Sequence, residues 1–167
     1  MTPVTVSMQD FLRTGEFGPV RLGLTRDQLR GYLGAPEDWG PTPKAERYAQ
    51  IWKYGDIEFH SHFKEDALVS LFADHVGTLR GGRAIDLDPW VLNGDALVGQ
   101  VLKSLTLAQI PYQRIPWALD DDTERYLVGA GVELLFWDET KHLFCAEGVS
   151  SLARPGMRFH GFSYRGR

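Results

Sequence analysis

The sequence predicts an α+β fold in which two tandem helix-strand-strand units form an antiparallel sheet with helices packed on one face. Two observations lead there. Amphipathic helical stretches are followed by alternating stretches rich in aromatic and β-branched residues, and this order occurs twice, at an offset of about 75 residues. With 167 residues, 43% of them hydrophobic, the chain can bury a core of that size.

The first helix is expected over residues 25–33. Thr25 can cap it, Leu24, Leu29, Tyr32 and Leu33 fall on one stripe, and Gly34 with Pro36 behind it ends it. After a polar, Pro-containing loop, residues 51–60 read as one strand, bent at Gly55, and residues 67–72 as its antiparallel partner. The unit spans residues 1–76. Residues 77–94 contain Gly81-Gly82 and no period, and read as a connector. In the second unit, residues 95–153, Asp95 can cap a helix with Leu97, Val98, Val101, Leu102 and Leu105 on one face, ending before Pro111. Residues 126–136 and 141–146 supply its two strands. The offset lays Ile57-Glu58-Phe59 on Val132-Glu133-Leu134, and Leu68-Val69 on Leu143-Phe144. The basic tail, residues 154–167, is open to three readings: docked on the body, meeting an acidic partner, or frayed.

Charge and motif content narrow the function classes. The formal charge of −4 disfavours nucleic-acid binding, and no stretch is long and apolar enough to span a membrane. The four arginines after residue 153 face no acid there, which leaves 14 basic and 22 acidic residues before them, a formal −8. One cysteine, Cys145, excludes an internal disulfide framework, and its apolar strand suits a buried thiol. With no secretory signal pattern, a cytoplasmic location is expected. Gly129-Ala130-Gly131 lacks the third glycine of a dinucleotide fingerprint. Asp120, Asp121, Asp122 and Glu124 lack an EF-hand spacing, and read as a solvated acidic loop. Hydrolase and nucleotide-binding signatures are missing, so no cofactor is assigned and catalysis is not the leading reading.

Gly23-Leu24-Thr25, Leu29, Leu33-Gly34, then Trp52-Lys53-Tyr54-Gly55 and Ile57-Glu58-Phe59, resemble the repeat of β-lactamase-inhibitor-protein-like domains and the related SmpA/OmlA lipoprotein domains. The resemblance covers roughly residues 17–147. It implies two α+β units whose joined sheet grips a partner protein through one face. The second unit lacks the closing Leu-Gly. Neither the disulfides of the secreted inhibitors nor the lipidated cysteine of the lipoproteins is present. The opening Phe11-Leu12-Arg13-Thr14-Gly15 is similar to that of uncharacterised soluble bacterial proteins, some resembling immunity partners of toxins.

If residues 51–60 form one strand, Ile51, Ile57 and Phe59 face the core and Trp52, Tyr54, Asp56, Glu58 and His60 face outward. Carrying the parity over the offset turns Val132, Leu134 and Phe136 inward and Glu133, Leu135 and Trp137 outward. Aromatic rings beside carboxylates suit a protein-binding surface. The leading expectation is therefore a non-catalytic module that binds another protein, a basic toxin suiting the acidic body, through Trp52, Tyr54, Asp56, Glu58, His60, Glu133, Leu135 and Trp137. The alternative is a metal-dependent hydrolase in which His60 and His62 hold zinc with Asp74 or His75, and Glu58 accepts a proton.

Overall fold

A computed structural model describes residues 2–41, 45–62, 64–74, 77–116, 123–137 and 157–166. The chain opens with β1 (Val4–Ser7) and α1 (Met8–Thr14), a seven-residue helix too short to announce itself by periodicity. Its signals are local: the Ser7 hydroxyl accepts from the Asp10 amide, and Gly15 takes φ 76 at the other end. In α2 (Arg26–Leu33), Thr25 and Gln28 form a reciprocal capping box, and Gly34 ends the helix at φ 75. Leu29 and Leu33 are buried as anticipated, but Tyr32 is 44% exposed. The buried stripe is completed instead by Arg26, whose Nε donates to the Ala49 carbonyl at 3.0 Å and whose guanidinium pairs with Asp66.

After β2 (Asp38–Gly40), the stretch expected to be one bent strand is two. β3 (Ile51–Tyr54) and β4 (Ile57–His62) form a hairpin across a two-residue turn, with Tyr54 opposite Ile57 and Trp52 opposite Phe59. Gly55, at φ 58, supplies the positive dihedral that such tight turns require. β5 (Ala67–Ala73) follows. The presumed connector contains β6 (Ile85–Asp88), which pairs in parallel with β1 as a separate two-stranded sheet.

α3 (Val98–Leu107) buries Val101 and Leu105. Its capping differs from expectation: Leu97 holds the N-cap position, its amide donating to Gln100 Oε1 at 3.2 Å, while Asp95 pairs with Arg158 at 2.7 Å. Then come β7 (Tyr112–Ile115), β8 (Thr123–Val128) and β9 (Val132–Trp137). Here too a stretch read as one strand is a hairpin, turning through Gly129, Ala130 and Gly131. The strand expected over residues 141–146, and with it Cys145, lies outside the described residues. β10 (Arg158–Tyr164) comes from the basic tail.

The large sheet runs β2-β3-β4-β5-β10-β9-β8-β7, all neighbours antiparallel. Two four-stranded meanders thus meet through their last strands, β5 and β10. The helices lie over one face, where their buried residues share a core with Tyr54, Phe59, Leu71, Leu134 and Phe162. Phe11 of α1 packs edge-on against Phe162 and Tyr164 of β10, with ring centroids 5.6 and 5.3 Å apart. α3 is tied to β10 by backbone bonds from Val98 to Met157 and from Phe159 to Ala96. No helix among the described residues is long and apolar enough to cross a membrane.

The β8–β9 turn locks onto α1, since the Ala130 amide donates to the Leu12 carbonyl at 3.1 Å. A Cβ on Gly129 would overlap that carbonyl oxygen, at a backbone φ of 49. Gly129→Ala should therefore lower the unfolding free energy by more than about 1 kcal/mol. In contrast, Gly31→Ala, in α2 with open space around it, should raise it by about 0.5–1 kcal/mol. Urea unfolding followed by circular dichroism checks both.

Candidate functional site

Strand pairing places one row of side chains across the whole outer face, the face away from the helices. It runs from Asp38 through Lys53, Glu58, Phe72, Ser163, Glu133 and Leu127 to Gln113, since directly paired residues point to the same side. Phe72, Leu127 and Leu135 are half-buried here, so the face presents apolar area between its charges. Glu58 and Glu133 sit three strands apart, about 14 Å at ordinary strand spacing. Each is matched by a cation from the adjoining strand. Lys53 Nζ lies 2.9 Å from one Glu58 oxygen and His60 Nε2 lies 2.9 Å from the other, while Arg125 pairs with Glu133.

Burial alone would push the Glu58 carboxyl up, but the hydrogen bonds from Lys53 and His60 outweigh it and hold the group below the usual carboxylate range. The same bond holds the Lys53 ammonium above its ordinary value, against partial burial. Two ring pairs complete the face. His60 stands edge-on to Phe72 at 6.0 Å, and Trp137 edge-on to His160 at 5.0 Å. His160 sits at a bulge in β10, between Phe159 opposite Phe136 and Gly161 opposite Leu135.

Of the residues nominated from sequence, Glu58, His60, Glu133, Leu135 and Trp137 share this face. Trp52 and Tyr54 do not, and their assignment to an outward surface is corrected. They are 3% and 0% exposed, on the helix side. The cause is the turn at Gly55 and Asp56: across a hairpin with a two-residue loop, Tyr54 pairs with Ile57 and must share its face, whereas a continuous strand would have put them on opposite faces. Ile51, expected in the core, is correspondingly on the outer side and half-buried. Trp52 Nε1 donates to the Glu46 carbonyl at 2.9 Å, and Tyr54 donates its hydroxyl to the Gly34 carbonyl at 2.8 Å. Burial, then the Glu46 charge, pushes the Tyr54 hydroxyl far above its ordinary pKa.

Asp56 lies in the turn and acts as a clamp. Its amide donates to the Arg80 carbonyl at 2.9 Å, and its Oδ2 accepts from the Arg80 amide at 2.8 Å. Glu37 reinforces the junction by accepting from the Gly55 and Arg83 amides.

His60 and His62 have separate partners, Glu58 for the first and the Glu65 amide for the second, at 3.3 Å. Among the described residues no group of three or more His, Cys, Asp or Glu could hold a metal ion. Asp74 is exposed and has partners of its own, and His75 lies outside the described residues. In the acidic loop, Asp120, Asp121 and Asp122 lie outside them as well. Glu124 pairs with Arg114 at 3.1 Å and accepts from the Tyr126 hydroxyl at 2.8 Å. Burial, helped by that bond, pushes Tyr126 up to about 12.

Sequence reasoning missed Lys53, Phe72, Arg125, Leu127 and Ser163. Recognising Gly55-Asp56 as a hairpin turn would have placed Lys53 beside Glu58. Alternation along 67–72 would have separated Phe72 from Leu71. No protein-family model matches the chain, and no curated protein or solved structure matches it.

The Glu58 carboxyl titrates lower in the folded chain than in the unfolded one. Its contribution is therefore complete above the unfolded value of about 4.3 and fades as pH falls through the lower folded value. The stability difference between wild type and Glu58→Gln should be present at about pH 5 and shrink as pH falls below about pH 4. Urea midpoints across that range measure it, and a difference that grows with acid would contradict the assignment.

Proposed function

We propose that the chain is a cytoplasmic, non-catalytic protein-binding module that neutralises a partner, in the manner of an inhibitor or immunity protein, by docking it on the outer face of the large sheet. The observation that carries this reading is the composition of that face. Phe72, Leu127, Leu135 and Trp137 offer apolar and aromatic area, none of the described helices covers them, and the intervening carboxylates are matched by Lys53, His60 and Arg125. The Glu58 and Glu133 carboxylates can therefore be desolvated without being stranded, which favours a tight interface core. Aromatic anchors at its centre would carry much of the affinity.

The resemblance of residues 17–147 to β-lactamase-inhibitor-protein-like repeats supports the same use of a sheet face. The meeting of two meanders at β5 and β10 supports reading the chain as two tandem units. The net charge of −4 favours a basic partner, such as a cationic toxin, by long-range steering. The single cysteine agrees with a reducing compartment.

The test is capture of the partner from the native host on the full chain, comparing wild type, Phe72→Lys/Leu135→Lys and Leu107→Lys. Leu107 ends α3, on the helix side, and is 76% exposed, so its variant controls for added charge. A protein held by wild type and by the Leu107 variant should be retained at least about tenfold less by the double variant. Equal retention by a double variant with a wild-type circular dichroism spectrum would defeat the proposal.

A further inference from the structure

Two glycines border the outer face where β8, β9 and β10 come together. Gly131, at φ 107, closes the β8–β9 turn, and Gly166, at φ 71, follows β10. Between them lies a cavity of about 250 Å³ lined by Leu127, Gly131, Glu133, Ser163, Arg165 and Gly166. Ser163, in β10, and Arg165, just beyond it, both line the cavity.

The polar groups in this cavity are unequally satisfied. Its carboxylate, Glu133, is already paired with Arg125. The Ser163 hydroxyl and the exposed Arg165 guanidinium have no hydrogen-bond or ion-pair partner among the described residues. The cavity therefore holds one uncompensated positive charge and a free hydroxyl donor. An incoming cation would be opposed by Arg165 and would find Glu133 occupied. An incoming carboxylate would meet the planar fork of Arg165, which matches its two oxygens, and a third bond from Ser163.

The geometry points to an aspartate or glutamate side chain of the partner protein as the occupant of this cavity. The inference rests on the outer face being the docking surface, and it adds a requirement that net charge conceals: a partner drawn by the acidic body must present a carboxylate at this point of the interface. Leu127 supplies an apolar wall for the methylenes of that side chain.

The probes are N-acetyl-aspartate amide and, as the uncharged control, N-acetyl-asparagine amide, each titrated into the full chain at constant ionic strength and followed by amide NMR. Saturable shifts at Gly131, Ser163 and Arg165 are expected with the aspartate probe only. Arg165→Gln should weaken its binding about tenfold or more, with partial recovery in Arg165→Lys, which keeps the charge and loses the fork. Arg165 is exposed and has no hydrogen bond or ion pair among the described residues, so a thermal melt should leave the variant unchanged. Equal shifts with both probes, no saturable shift, or full binding by Arg165→Gln would overturn the inference. A second arm separates it from the docking reading. The captured protein should be lost on Arg165→Gln as well as on Phe72→Lys/Leu135→Lys. Loss on the latter alone keeps the face and removes the cavity's role in it, even if the probe binds as a free anion. Retention by both removes the docking reading too.

Discussion

The two-residue turn at Gly55 and Asp56 decides which side of the first meander is core and which is surface. With a loop of two residues, Tyr54 and Ile57 are opposed and the parity of β3 is tied to that of β4. Trp52 and Tyr54 are thereby directed under the helices, while Lys53 is delivered to Glu58. The turn is held by contacts that tolerate little change. A Cβ on Gly55 would overlap the Gly82 amide nitrogen, and the Asp56 and Glu37 carboxylates bind backbone amides on both sides of the junction. A residue with a side chain at position 55 would meet both an unfavourable φ and this packed backbone. The register of the first half of the sheet, and with it the outer face, follows from this junction.

The second constraint is the β5–β10 pairing, which joins residues about 90 positions apart in sequence. It brings Phe72 beside Ser163 and makes one continuous face from two meanders. It also gives Phe162 its place opposite Ala73 and Leu134, where Phe11 packs on it from α1. A core that would otherwise be split between two small units becomes one, with correspondingly more apolar area removed from water. The two matched carboxylates, Glu58 and Glu133, then stand on either side of this seam.

What could be read from sequence was what is encoded locally. Thr25, Gln28 and Gly34 mark α2 through hydrogen bonds within a few residues, and the alternation of Val132, Leu134 and Phe136 against Glu133, Leu135 and Trp137 gives the parity of β9 directly. Gly55-Asp56 misled because a bend and a hairpin turn share their glycine, and only the hairpin reverses the strand. Its consequence was confined to the residues before the turn, which is why Trp52 and Tyr54 were misplaced and Glu58 and His60 were not. Nothing local marks β10 as a central strand. Its Gly161 lies against the Ala73 carbonyl, a neighbour that no sequence window contains. The cavity beside Arg165 depends on the same long-range pairing.

The outer face is defined by which aromatic and aliphatic residues meet solvent, and carbene footprinting of the native full chain, read by mass spectrometry residue by residue, measures that directly. Label is predicted on Phe72, Leu135 and Trp137, with Trp52 and Tyr54 protected until the chain is unfolded. Labelling of Trp52 and Tyr54 in the native state, with Leu135 and Trp137 protected, would contradict both the hairpin register and the outer face built on it.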